Sequence, residues 1–399
     1  MPVCAEAAAR GFATAPGGWA LTESEWKLAA LPSAEVAPGF TALARALAKG
    51  PSRVFVLLLP QKGLVIPGGV AGYDTARGED QHRALAQLLS GTGLSVVDTL
   101  DAARAPIDSG FFYLLRDPHL SHPGGRRVAS LFAGALRTAG LYDSLPRVAY
   151  RTVEQPAREH PREFVADNIV KLCGGEAPPH ERTAIFKVEA PDTGLVDETP
   201  LARVALWGSS NSGLGGLDRF TEEAIQSPVD TLATRGGGIL GSLYAALRED
   251  DYATAPPVAV AWELAVSEYW RPVDGAPNPQ DPDVYREIVP AAWGSCADES
   301  ALAVGDWVAS GATLLAAPAR SWAYVALEAE RADVRALSLG GEVADQPLGP
   351  RLFADYERLP ASRRWFLDLG TVHGQVRLSA TWESPSAARV RAKLCAAPK

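Results

Sequence analysis

The sequence predicts an α/β fold with a mostly parallel sheet flanked by helices, followed by a smaller all-β sandwich. Two observations carry this. Between about residues 40 and 265, short apolar runs of strand length alternate with longer stretches whose apolar residues recur at helical spacing. Beyond about residue 290 that alternation gives way to short strand-like runs separated by Gly, Asp and Pro.

Taken in order, Phe40 to Ala48 has the apolar spacing of a helix, and Val54 to Leu59 is an unbroken apolar run ended by Pro60, as expected of a strand buried on both faces. Arg77 to Leu89 reads as a helix, Ser95 to Val97 as a short strand closing on Asp98, and Arg127 to Ala139 as a second helix. Arg203 to Trp207 is the next strand, Gly241 to Arg248 a helix, and Pro257 to Trp262 a further strand. Arg271 to about Pro290 is rich in proline and poor in apolar residues, which marks a linker. Five strand-like runs follow, at 312–315, 321–327, 336–339, 365–369 and 376–380. A chain of 399 residues exceeds what one core usually serves. The expected division is a catalytic domain over 1–275, a linker over 276–292 and a β-sandwich over 293–399.

Composition narrows the function. The net charge is −9 with no long basic run, which argues against nucleic acid or an anionic membrane surface as partner. No stretch reaches the ~20 apolar residues that a membrane span needs. Four cysteines, Cys4, Cys173, Cys296 and Cys395, lack C-x-x-C spacing, so neither zinc nor thioredoxin-type chemistry is indicated. They allow three pairings, or none. Cys4 with Cys173 and Cys296 with Cys395 is the preferred pairing, each bond closing one predicted domain on itself. Such bonds belong to an oxidising compartment. The opening MPVCAEAAAR has no apolar signal core, so a removed leader is expected.

Chemistry concentrates in two stretches. Asp117-Pro118-His119 places a carboxylate two residues from an imidazole, close enough for one ring nitrogen to be held while the other faces a hydroxyl. Gly208-Ser209-Ser210-Asn211-Ser212 follows a strand and cannot continue it, so a serine is presented past a strand end. Together they supply a serine triad. A competing pattern is Gly236-x-Gly238-x-x-Gly241 followed by a helix, with Glu263 ending the next strand, the outline of a dinucleotide fingerprint. The preceding residues 230–235 make a poor buried strand, which counts against it. No cofactor or metal is expected.

These landmarks, with Gly17-Gly18-Trp19-Ala20, Leu59-Pro60-Gln61-Lys62-Gly63 and Ala261-Trp262-Glu263, run in the order found in the SGNH-hydrolase-like polysaccharide O-acetyltransferases of alginate biosynthesis, the AlgX and AlgJ type. The chain resembles that family over residues 15 to 270, and AlgX most closely because of the appended β domain. As in that family, the Asp/His block precedes the serine block, the reverse of ordinary SGNH enzymes.

The resemblance implies Ser210 as nucleophile, His119 as general base and Asp117 as the group orienting it, with Ser209 and Ser212 as rival nucleophiles. An attacked ester needs preorganised oxyanion donors. The candidates are the backbone N–H of Ser210, one from the run Gly236 to Gly238 with Gly238 preferred, and the Asn211 side chain. Lys62 is a candidate for a sugar carboxylate or for a structural carbonyl. In the β domain, which resembles a carbohydrate-binding module, Arg320 with Trp322 and Arg364 with Trp365 are candidate sugar contacts, although neighbours on a strand face opposite ways. The implied protein is a periplasmic monomer acetylating an alginate-like polyuronate, supplied by a membrane-bound O-acyltransferase within an export complex. Two other readings are kept: an acetylesterase using the same triad, and a non-catalytic polysaccharide-binding scaffold. The departures, Leu120 after the histidine and Ser209 before the serine, bear on substrate contacts rather than on the triad.

Overall fold

A computed structural model describes residues 2–28, 32–107, 110–159, 163–190, 200–268, 272–294, 296, 301–353 and 356–396. Two compact units emerge. One is drawn from within 1–31, 53–239 and 257–271, the other from within 32–52, 240–256 and 272–399.

The first unit is built on five parallel strands: β1 (Arg53–Leu59), β2 (Ser95–Asp98), β3 (Val204–Gly208), β4 (Val229–Ala233) and β5 (Ala259–Ala265). Their order across the sheet is β2-β1-β5-β3-β4. The three central strands are apolar on both faces, and all but Arg53 of their residues are buried, because helices such as Thr75–Gly91, His122–Thr138 and Leu217–Ile225 cover the sheet. The chain leaves β1 for β2 on one side and then crosses to β3 on the other. Loops from the two sides thus meet at the carboxyl ends of the strands, where open α/β sheets place their sites. β4 is the half-buried edge strand, which explains why residues 230–235 read poorly as a buried one.

Two short ribbons were invisible to periodicity: Ala13–Ala15 pairs with Trp19–Leu21, and Arg151–Glu159 pairs with Arg182–Glu189. A disulfide joins Cys4 to Cys173, tying the start of the chain to the end of helix Phe164–Cys173.

The second unit carries one antiparallel six-stranded sheet in the order β6-β11-β7-β10-β8-β9. The strands are β6 (Ala301–Val304), β7 (Thr313–Ala329), β8 (Arg335–Val343), β9 (Gln346–Leu352), β10 (Arg364–Glu383) and β11 (Val390–Cys395). The runs read at 312–315 and 321–327 belong to one strand, β7, and those at 365–369 and 376–380 to another, β10. Bulges between Ala317 and Arg320 and between Trp322 and Tyr324 let these long strands turn, and both halves of the sheet contribute to one core around Val325, Leu367, Leu378 and Leu394. Cys296 is bonded to Cys395 at the end of β11. Each disulfide therefore lies within one unit, with the pairing preferred from the sequence.

The linker expected over 276–292 is a correction. Pro282–Ala292 is a helix with Val284, Tyr285, Ile288 and Val289 buried, packed against helix Ala37–Lys49 and β10. Pro282 sits in the first turn, where a missing N–H costs nothing, and Asp281 caps the helix by accepting from Asp283 N–H at 2.9 Å. The prolines that suggested a breaker mark a helix start.

Candidate active site

Residues 112–121 form a tight hairpin: Leu114 N–H donates to His119 O at 3.0 Å, Ser121 N–H to Phe112 O at 3.0 Å, and Tyr113 bridges Leu120. Its tip is the Asp117-Pro118-His119 turn. His119 Nδ1 is hydrogen-bonded to Asp117 Oδ1, which also accepts the His119 backbone N–H at 3.2 Å. Asp117 Oδ2 accepts Phe164 N–H at 3.3 Å. Burial pushes the Asp117 carboxyl up, but the hydrogen bonds from the His119 ring and from both backbone amides, with the ring's charge, outweigh it and hold its pKa below the ordinary value.

Opposite this turn, β3 ends at Gly208 and the helix Ser210–Leu214 begins at once. Ser210 Oγ lies 2.8 Å from His119 Nε2. Asp117, His119 and Ser210 are therefore linked atom to atom, with His119 and Ser210 91 positions apart in the sequence. The Ser210 N–H, first in its helix, has no acceptor among the described residues.

Its rivals are held elsewhere. Glu263, buried at the carboxyl end of β5, accepts Ser209 N–H at 2.8 Å, Ser209 Oγ–H at 3.0 Å and Ser212 Oγ–H at 2.8 Å. One carboxylate thus takes both flanking hydroxyls and leaves that of Ser210 facing the imidazole. The same contacts weigh against the dinucleotide reading, because the acid that would hold a ribose is spent on the serine loop. Gly208 is required here: a Cβ on it would lie 1.9 Å from Ser212 Oγ and 2.7 Å from Glu263 Oε2.

Asn211, expected as an oxyanion donor, is instead a brace between the two loops. Its Oδ1 accepts Leu120 N–H at 2.9 Å and its Nδ2 donates to Ser209 Oγ at 3.4 Å. Gly125, in the first turn of helix His122–Thr138, lets that helix meet the serine loop, since a Cβ there would fall 2.3 Å from Gly215 O. Gly238 adopts φ +60° in the loop after β4, and that loop is tied to the end of β3 by Thr234 N–H donating to Gly208 O at 3.0 Å.

Lys62 is buried beneath the Asp/His turn. It is 1% exposed, and its ammonium donates to the carbonyls of Asp117 at 3.0 Å, Ala20 at 3.3 Å and Leu115 at 3.4 Å, while pairing with Glu25 Oε1 at 3.3 Å and lying over the Trp19 ring. Two further sequence landmarks, Gly17-Gly18-Trp19-Ala20 and Leu59-Pro60-Gln61-Lys62-Gly63, therefore brace the Asp/His turn. Glu25 was not singled out from sequence, although Thr22-x-x-Glu25 is a visible capping box, and Glu25 Oε2 does accept Thr22 N–H at 2.6 Å. The side chains of Arg320 and Trp322 lie outside the described residues. Trp365 and Arg364, adjacent on β10, are both buried in the second unit, and Trp365 meets Arg248 rather than Arg364.

A cleft of about 610 Å³ flanks the serine helix at Gly213 and the ribbon of 151–159 and 182–189. His122, Arg158, Phe186, Lys187, Arg219 and Phe220 line it together with Asp218, so it is aromatic with an excess of cations over acids, although Lys187 pairs with Glu189 and Arg219 with Glu222.

Comparison with known proteins places this arrangement. Residues 14–266 match the family described as SGNH hydrolase-like domain, acetyltransferase AlgX. The alginate biosynthesis protein AlgX of Pseudomonas fluorescens is 27% identical over 158 residues, 39% of this chain and 32% of that protein. AlgX of Pseudomonas aeruginosa is 25% identical over 223 residues, 53% of this chain and 46% of its own length. The matched part is thus less than half of these curated relatives. Among solved structures, Pseudomonas aeruginosa AlgX superposes with a TM-score of 0.75 over 99% of this chain and 100% of that one at 19% identity. The O-acetyltransferase domain of Pseudomonas putida AlgJ gives 0.53 over 64% of this chain and 91% of that one, also at 19% identity. The fold is shared with both, and the match over 14–266 shows that this chain belongs to the AlgX family of SGNH hydrolase-like acetyltransferase domains.

Proposed function

We propose that the protein transfers acetyl groups onto hydroxyls of an exported acidic polysaccharide through an acetyl-Ser210 intermediate. One observation carries the reading: the 2.8 Å contact of Ser210 Oγ with an imidazole whose other nitrogen is held by a buried carboxylate. His119 Nε2 takes the hydroxyl proton as Oγ attacks the acetyl carbonyl, and the developing oxyanion is met by Ser210 N–H, with Gly238 N–H as second donor. Collapse expels the donor's leaving oxygen, which takes the proton from His119. A sugar hydroxyl then gives its proton to His119, attacks the acetyl-serine carbonyl and leaves as the new ester, and the proton returns to Ser210 Oγ. Asp117 keeps the ring in the productive tautomer and stabilises the imidazolium.

The cationic and aromatic cleft beside the serine helix supports an acidic sugar chain as acceptor. The names of the curated relatives support alginate or a similar polyuronate. The two disulfides support an oxidising compartment, which for an export protein is the periplasm. A membrane-bound acyltransferase supplies acetyl, and other export proteins are the partners. We assign catalysis to the SGNH-like unit and polymer binding to the β unit.

The His119 side chain is 18% exposed, so water also reaches the triad, and hydrolysis of small acetyl esters accompanies transfer. Turnover of a chromogenic acetyl ester is expected to fall by about 10⁴-fold or more in Ser210→Ala. With oligouronate present, the unaltered protein yields acetylated oligomer by mass spectrometry. Residual turnover near the parent rate in Ser210→Ala refutes the assignment.

A further inference from the structure

The second unit buries two guanidinium groups that have no ion-paired carboxylate among the described residues. Arg248, just past helix Gly241–Leu247, and Arg364, at the start of β10, are each 9% exposed. Buried charges are normally paired. Among the described residues neither arginine has an acidic partner within ion-pair distance, and the acids that act on Arg364 are committed: Asp250 to Arg363 at 2.7 Å, and Glu328 to Arg391 at 2.9 Å and Lys393 at 3.3 Å. Glu287 is likewise taken, by Arg351 at 2.6 Å and by the Tyr244 hydroxyl at 2.6 Å.

Arg364 is satisfied by its surroundings, its Nη1 donating to Glu249 O at 3.0 Å and its charge lying over Phe366. Arg248 is not. Its Nε donates to Arg364 O at 2.7 Å and its plane is held by the rings of Tyr244 at 4.7 Å and Trp365 at 5.5 Å, yet its two Nη groups have no acceptor among the described residues. Arg248 lines two cavities, of about 370 and 360 Å³. The larger is walled by Leu337, Phe353 and Leu359 with the Tyr356 and Ser362 hydroxyls, and Arg335 also reaches it; Glu357 is its exposed acidic neighbour. Arg335 stands at a bulge in β8 beside Ala336, whose φ of +46° is a left-handed conformation that a non-glycine residue adopts at a cost.

We infer that this cavity binds the carboxylate of an acidic sugar unit, with Arg248 as the fixed donor fork, Arg335 as a second cation and the apolar wall against the ring. A fork held rigid by stacking is suited to bidentate carboxylate recognition. The room beyond it is that of a small-molecule site rather than of a bare anion. The uronate as ligand rests on the acceptor named above; the vacant fork itself does not.

The test is calorimetric titration of the full chain, as Ser210→Ala, with an oligomannuronate, a neutral oligosaccharide of equal length and inorganic phosphate. Arg248→Gln and Arg335→Gln are each expected to weaken oligomannuronate binding by about tenfold or more, as loss of charged hydrogen bonds requires, with thermal melting checking the fold. Should Arg248→Gln fail to fold, Arg335→Gln decides, since that residue is exposed. Oligomannuronate binding untouched by either change, or neutral oligomer or phosphate binding as tightly with the same dependence, overturns the inference. Ester turnover by the parent protein reads the triad separately. Ser210-dependent turnover with arginine-independent binding sinks this site alone, and arginine-dependent binding without such turnover sinks the triad alone.

Discussion

Replacing Lys62 by methionine separates a structural lysine from a substrate contact. The change keeps the apolar stem and removes the charge, leaving Glu25 Oε1 buried without the ammonium it pairs with and withdrawing a donor from three carbonyls, one of them the carbonyl of Asp117 itself. Removing one member of a buried pair costs about 3–5 kcal/mol, because the remaining charge stays desolvated. Glu25→Gln in the same background neutralises that charge while its oxygen still accepts Thr22 N–H, so the double variant should recover about 1–3 kcal/mol of the loss. The assay is urea unfolding of the parent, both single variants and the double variant, with initial ester turnover at saturating and limiting substrate. Since Lys62 touches the turn and not the substrate, kcat should fall with KM nearly unchanged. A methionine variant within about 1 kcal/mol of the parent, or one that raises KM alone, refutes the bracing role.

Two further outcomes follow from the same geometry. Gly208→Ala drives a methyl group into Ser212 Oγ and the Glu263 carboxylate, and should cost about 2–4 kcal/mol in unfolding with turnover lost in the folded fraction. The Asp117 carboxyl has a folded pKa below its unfolded one, so its stabilisation is fully present above the ordinary carboxylate range near pH ~4 and is lost as pH falls through the lowered value. The stability gap between the parent and Asp117→Asn should therefore be flat from about pH 5 to 8 and close in stronger acid; a gap that widens below pH ~4 contradicts the sign.

Much was legible in the chain itself. Buried strands such as Val54 to Leu59 announce themselves because both faces demand apolar residues, and the Asp/His and serine blocks carry their chemistry in residue type and order. The disulfide pairing followed from closing each predicted domain on itself. Other features have no local signature. Three serines in four residues are equivalent until Glu263, from a strand 51 to 54 positions later, accepts hydrogen bonds from two of them. Lys62 could serve a ligand or a carbonyl until burial decides. Pro282 reads as a breaker until the helix it starts finds a core, and Trp365 looks paired with Arg364 until the fold sets Arg248 over its ring. Periodicity and residue chemistry act within a few residues, so sequence determined the central strands, the family resemblance and the candidate chemistry, but not the short ribbons or the helix at Pro282–Ala292. Which groups share a proton, a charge or a cavity depends on contacts between distant segments, and only the tertiary structure decided that.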